Sequence, residues 1–190
     1  MKQIIEQELA EHLKVANLLY GLSDDIAASA ELCIDCLKSG GKILIFGNGG
    51  SAADAQHFAA ELVGRYKANR QGLASIALTT DSSSLTSIGN DFGFNYVFER
   101  QIEALANNKD IIIGISTSGK SNNVNIALKL AKRLGCKTIG LSGKDGGEMS
   151  KICHINLISP SMETPRIQEM HITIIHIICN LIDQEFNYSS

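Results

Sequence analysis

His57 and Glu61 stand four residues apart in Ala52-Ala53-Asp54-Ala55-Gln56-His57-Phe58-Ala59-Ala60-Glu61-Leu62, a run that reads as helix. Four residues is close to one turn, so an imidazole and a carboxylate leave the same face. Together they could hold a divalent metal or move a proton, although on spacing alone they are equally an ordinary surface pair. An apolar run, Ile43-Leu44-Ile45-Phe46, and a glycine turn, Gly47-Asn48-Gly49-Gly50-Ser51, come just before. Strand, glycine turn and helix make an anion cradle. The glycines let backbone N–H groups face outward, and the helix start adds a partial positive charge of about half a unit. One segment thus offers an anion site and, about two turns further on, groups able to do chemistry.

Two more loops are rich in hydroxyls. Thr79-Thr80-Asp81-Ser82-Ser83-Ser84 and Ser116-Thr117-Ser118-Gly119-Lys120-Ser121 each follow an apolar run and precede a helical one. Any one of them could be no more than helix caps and turn formers. Several at one sheet edge suggest a polar ligand, and the hydroxyls of Ser116, Thr117, Ser118 and Ser121 suit a phosphate better than the glycine turn does. Two nucleotide patterns overlap these loops. Residues 114–121 fit G-x-x-x-x-G-K-[ST], but Ile115 reads as strand and no strand ends in an aspartate placed to hold magnesium. Gly47-x-Gly49-x-x-Ala52 fits a loose dinucleotide fingerprint, yet Asp81, the first acid after the next strand, lies well beyond the usual spacing of about 20 residues.

The elements that must position these groups alternate along the chain. Short, nearly continuous apolar runs at 43–46, 74–78, 111–115, 137–141 and 155–158 predict parallel strands buried on both faces. Helical patterns fall between them at 84–89, 95–106, 122–134 and 147–152. Two amphipathic helices, over 4–20 and 24–38, precede the first strand. A last helix, with Thr164 as N-cap and Pro165 at its first position, runs to about Phe186 and is expected to be buried on most sides. The predicted fold class is α/β: a three-layer, doubly wound, flavodoxin-like sandwich with a five-stranded parallel sheet, preceded by a helical pair. Residues 1–190 suit a single domain, with 1–40 assigned to oligomer contacts and 41–190 to the core.

Composition narrows the function. A net charge of -3 gives no basic footprint for nucleic acid. No apolar run is long enough to span a membrane, and Glu6 and Glu8 sit where a secretory signal would be apolar, so a cytoplasmic location is expected. The five cysteines lack disulfide-framework spacing, and Cys33-Ile34-Asp35-Cys36 sits inside a helical run, where buried apolar thiols are expected rather than redox chemistry.

Taken together, residues 47–54, 57–62, Asn90-Asp91-Phe92, 116–119 and Thr164-Pro165-Arg166-Ile167-Gln168-Glu169-Met170-His171 closely resemble the phosphoheptose isomerases, members of the sugar isomerase (SIS) fold group. The resemblance spans essentially the whole chain. It implies conversion of sedoheptulose 7-phosphate to D-glycero-D-manno-heptose 7-phosphate, the entry to heptose units of bacterial surface polysaccharide, by a cytoplasmic homotetramer. It also implies a zinc ion held by His57, Glu61, Gln168 and His176, with Glu61 and His176 as the acid/base pair. Asn48, Gly49, Gly50, Ser51, Asn90, Asp91, Ser116, Thr117, Ser118, Ser121 and Gln168 would contact the sugar phosphate, with Arg65 a weaker candidate. Lys120 departs from the family pattern, which has Asn there. The alternatives are a noncatalytic phosphosugar-binding or replication-initiator-associating relative and, more weakly, a P-loop NTPase.

The chemistry asks for these residue types. Moving a carbonyl between C2 and C1 needs a base, a stabiliser of the enediolate and an acid. Gln168 and His176 are eight residues apart, about 12 Å along one helix, too far for both to reach one ion. One of them is therefore expected from a neighbouring subunit. His12, His154 and His171 are expected to be satisfied core residues, and His176, among isoleucines, would be one too without the family motif.

Overall fold

Each apolar run becomes one strand of a single parallel sheet: β1 (Ile43–Gly47), β2 (Ser75–Ala77), β3 (Ile111–Ile115), β4 (Lys137–Gly143) and β5 (Ile155–Ser159). The computed structural model describes residues 1–187. Strand order is β2-β1-β3-β4-β5, so the chain first builds outward from β1 and then crosses back to β3. That reversal leaves the loops after β1 and β3 diverging, which opens a crevice at their carboxyl ends. Alternate side chains feed two cores. Ile43, Ile45, Ile113, Ile115 and Leu141 pack with α2 (Ser23–Lys38), α3 (Gly50–Val63) and α8 (Thr164–Phe186). Leu44, Phe46 and Ile112 pack on the other side with α5 (Glu99–Leu105), α6 (Asn122–Arg133) and α7 (Met149–Ile152). Gly114 lets α6 close on the sheet, since a Cβ there would lie 2.8 Å from Leu128 and 2.9 Å from Val124.

The boundaries differ from expectation where tertiary contacts intervene. β2 is three residues long because it is the sheet edge, where Ile76 is exposed. The helix expected over 95–106 divides into a 3-10 turn, Phe94–Tyr96, and α5. Between them Val97 and Phe98 turn into the core, and Phe98 stacks on Phe46 at 5.0 Å. α4 spans Ser82–Asp91 because Asp81 caps it, accepting from the Ser84 N–H at 3.0 Å. α8 takes Glu163 as its N-cap, which makes Thr164 its first residue rather than the cap.

The helix α1 (Lys2–Leu18) and α2 lie along α8, and the chain between them is a 3-10 turn, Leu19–Leu22. α8 is less covered than its apolarity suggested, with ten of its 23 residues buried. Its outer face opens on a groove of about 550 Å³ between Ala16, Tyr20, Ile26, Ile177 and Leu181. Beyond that groove Ile4, Ile5, Leu9 and Leu13 of α1 are each about 60% exposed, an apolar stripe that none of the described residues covers. Of the three histidines expected in the core, only His171 is fully buried. His12 is half-exposed and meets Glu169 at 2.8 Å, while exposed His154 accepts from the Thr138 N–H at 3.0 Å.

Candidate active site

Two helices far apart in sequence converge on one point. His57 and Glu61 leave one face of α3, with His57 Nε2 at 2.9 Å from Glu61 Oε1. His176 enters from α8 and brings its Nε2 to 3.3 Å from that of His57, the rings meeting edge to face at 5.1 Å. One ligating atom from each of the three lies within 4.8 Å of the others. Two imidazole nitrogens this close, beside a carboxylate oxygen, share either a proton or a cation. Two nitrogens and an oxygen with an open side are a donor set that zinc accepts. The cluster therefore fits the expected metal through His57, Glu61 and His176.

Gln168 lies elsewhere on α8. A Cβ added to Gly50 would come within 2.5 Å of its Nε2, so its amide rests against the start of α3. Gly50 is seven residues from His57, about 10 Å of helix. The two helices thus run side by side in the same sense, with Gln168 at the glycine turn and His176 at the cluster. Within one chain the three ligands meet, and the Gln168 amide lies against Gly50 of the helix that carries two of them.

The polar loops are tied to each other before any ligand is considered. Asn48 and Asn123 exchange a reciprocal pair of amide hydrogen bonds, 2.9 Å each way, which joins the glycine turn to the start of α6. Asn48 therefore has its backbone and only part of its amide left for a ligand. Ser116 and Ser121 close the other loop, Oγ to Oγ at 2.8 Å, with Thr117 and Ser118 half-buried between them. Ser51 is buried at the foot of the cradle, under the open backbone of Gly49 and Gly50. Asn90 and Asp91 are exposed at the end of α4, where the Asn90 amide donates to Asp91 at 2.8 Å. Arg65 is exposed and donates to the Lys67 carbonyl at 3.4 Å. Gly114 and Ile115 belong to β3, so the nucleotide-loop match contains only a short loop. Its lysine, Lys120, reaches sideways to Asp145 at 3.0 Å, and that contact holds the Asp145 carboxyl below the usual range.

Burial shapes the charges around the site. It lifts the Asp54 carboxyl, one turn before His57, against the opposing pull of the imidazole. Burial also drives the His171 pKa down to about 4, opposed by its bond to the Ser142 carbonyl, which leaves that ring neutral. The Cys33 and Cys36 thiols are pushed up by burial, Cys36 to about 11, so they are inert.

Comparison with known proteins gives this geometry its family. An SIS domain model matches residues 10–143. Phosphoheptose isomerase 1 of Campylobacter jejuni is 61% identical over 186 residues, covering 98% of this chain and 100% of that protein. The phosphoheptose isomerase of Helicobacter hepaticus is 58% identical, covering 97% of this chain and 94% of the relative. The solved phosphoheptose isomerase GmhA from Neisseria gonorrhoeae superposes with a TM-score of 0.92 at 44% identity, over 96% of this chain and 98% of the other. This chain belongs to the phosphoheptose isomerase family.

For a phosphoheptose isomerase relative, several residues around the site escaped sequence reasoning. Asn123 follows the loop as an ordinary early helix residue, and nothing in its spacing marks it as the partner of Asn48. Asp183 and Arg70 form a pair at 2.6 Å, with side chains 4% and 2% exposed. Burial alone would raise the Asp183 carboxyl, but the N–H groups of Ala68 and Lys67 and the Arg70 guanidinium outweigh it and hold its pKa low. Arg70 also donates to the carbonyls of Glu61 and Leu62, both at 2.9 Å, and so caps the end of the helix that carries Glu61. The one available signal was an aspartate in the isoleucine-rich last helix, which burial rules assign a cationic partner.

Proposed function

We propose that this protein interconverts D-sedoheptulose 7-phosphate and D-glycero-D-manno-heptose 7-phosphate, the first step towards heptose units of a bacterial surface polysaccharide. The observation that carries this reading is the convergence of His57, Glu61 and His176 in a chain of this family. The phosphate is assigned to the hydroxyls of Ser116, Thr117, Ser118 and Ser121 at the start of α6, where helix N–H groups add to the attraction. The glycine turn and Gln168 flank the reacting end, and Asn90 and Asp91 contribute polar contacts to the sugar. In the ketose-to-aldose direction Glu61 takes a proton from C1, and His176 gives one to the C2 oxygen as the enediol forms. Return of a proton to C2, with loss of the O1 proton, completes the aldose. Zinc held by His57, Glu61 and His176 would supply electrophilic stabilisation of the developing negative charge. A cation lowers the pKa of a carboxylate that it binds, so tight ligation by Glu61 works against its strength as a base.

The same reading makes the protein a cytoplasmic homo-oligomer, a tetramer by family pattern. One observation supports it: the exposed apolar stripe of α1, which a second copy of the chain would cover. The decisive assay supplies sedoheptulose 7-phosphate to the purified protein, with and without added zinc, and measures bound metal on the same sample. Formation of the aldose is expected. Its absence under both conditions would favour a noncatalytic phosphosugar-binding protein.

A further inference from the structure

His176 is held in an unusual way for a metal-ligating histidine. Such rings are normally fixed by a hydrogen bond from the second nitrogen to a carboxylate or carbonyl. Among the described residues His176 hydrogen-bonds only through Nε2, to His57, and Nδ1 has no partner. The imidazole torsion is intrinsically broad, and a neighbouring ring packed on its face narrows it. Tyr66 makes such a contact. Its ring lies on that of His176 at 5.5 Å between centroids, with the planes 28° apart. The Lys67 ammonium covers Tyr66 at 5.0 Å.

The placement of Tyr66 is built into the fold. Asp183 is seven residues beyond His176, two turns on along the same helix face. Its Oδ2 accepts from the Lys67 and Ala68 N–H groups at 2.7 and 2.8 Å, and its Oδ1 accepts from Arg70 Nε at 2.6 Å. Arg70 in turn grips the end of α3. The loop after α3 is thereby fastened to α8 at Lys67, and the residue just before it falls on His176. The geometry points to Tyr66 as a positioning residue for His176, set in place by the Arg70–Asp183 pair. The inference rests on the proposed role of His176 as proton donor.

Tyr66→Phe keeps the ring and Tyr66→Ala removes it. On the zinc-loaded full chain with sedoheptulose 7-phosphate, Tyr66→Phe should stay within about twofold of the parent. Tyr66→Ala should lower kcat by about tenfold or more with KM little changed, and weaken Zn2+ in chelator competition by about tenfold. Tyr66→Leu replaces it should the alanine variant not fold. Unchanged kcat and zinc affinity in the variant lacking the ring would overturn the inference, as would an equal loss in Tyr66→Phe, which would assign the effect to the hydroxyl. A separate readout is the His176 ring-proton signal in histidine-labelled protein, identified with His176→Gln. It should shift in Tyr66→Ala and hold in Tyr66→Phe, and a signal unmoved in both sinks the idea. If His176→Gln turns over at the parent rate, the proposed proton donor is wrong, and the histidine signal alone then decides the positioning.

Discussion

Glu61 carries two demands, and one substitution separates them. Glu61→Gln keeps the size and the polar contact but removes the basic lone pair and most of the affinity for a cation. Turnover should fall by about a hundredfold or more, with the fold retained. Zinc content measured beside the rate shows whether ligation or basicity was lost, and an active Glu61→Gln protein removes Glu61 from the base role. His171 makes a different prediction. Its folded pKa, about 4, lies below its ordinary value of 6.5, so only the unfolded chain gains this proton as pH falls between the two. Stability is therefore complete above pH 6.5 and declines towards pH 4, by about 3 kcal/mol at most for this group. Chemical denaturation across that range should show a shallower decline in His171→Gln.

The helices α3 and α8 act as a pair of rails, and their contact points decide where each ligand falls. Gly50 is one of these contacts, with the Gln168 amide in the space that a side chain would occupy. Gly50→Ala should leave the thermal midpoint nearly unchanged, because the displaced group is the end of a flexible side chain and alanine favours helix by up to about 1 kcal/mol. The kcat/KM should nevertheless drop by about tenfold or more as Gln168 is pushed aside. Full activity in that variant would mean that the amide has no part in the reaction. The strand–loop–helix units were legible from the chain, since apolar runs of strand length bounded by glycine and serine have few other uses. The turn at Val97 and Phe98 was not, because it depends on Phe46 lying opposite.

At the scale of the molecule the exposed stripe of α1 is the main unfinished surface. Ile5, Leu9 and Leu13 lie on a helix whose only buried residue is Val15, so removing their apolarity costs the single chain little. Leu9→Glu together with Leu13→Glu should leave the circular dichroism of the chain intact. It should shift sedimentation towards smaller species and, if the site needs a second copy, reduce turnover in proportion. An oligomer that survives both charges would place the assembly surface elsewhere.

Much of this site was determined by sequence alone. The glycine turn, the hydroxyl loop after β3 and the His57–Glu61 pair follow from local spacing, because strand-end loops and helical periodicity act over a few residues. The tertiary structure decided the rest. It set His176 beside His57 and the Gln168 amide beside Gly50, spent part of the Asn48 amide on Asn123, and left Lys120 on Asp145. These outcomes depend on how two helices and three loops meet across the fold. Such meetings are fixed by packing between residues tens to more than a hundred positions apart, which no local pattern encodes.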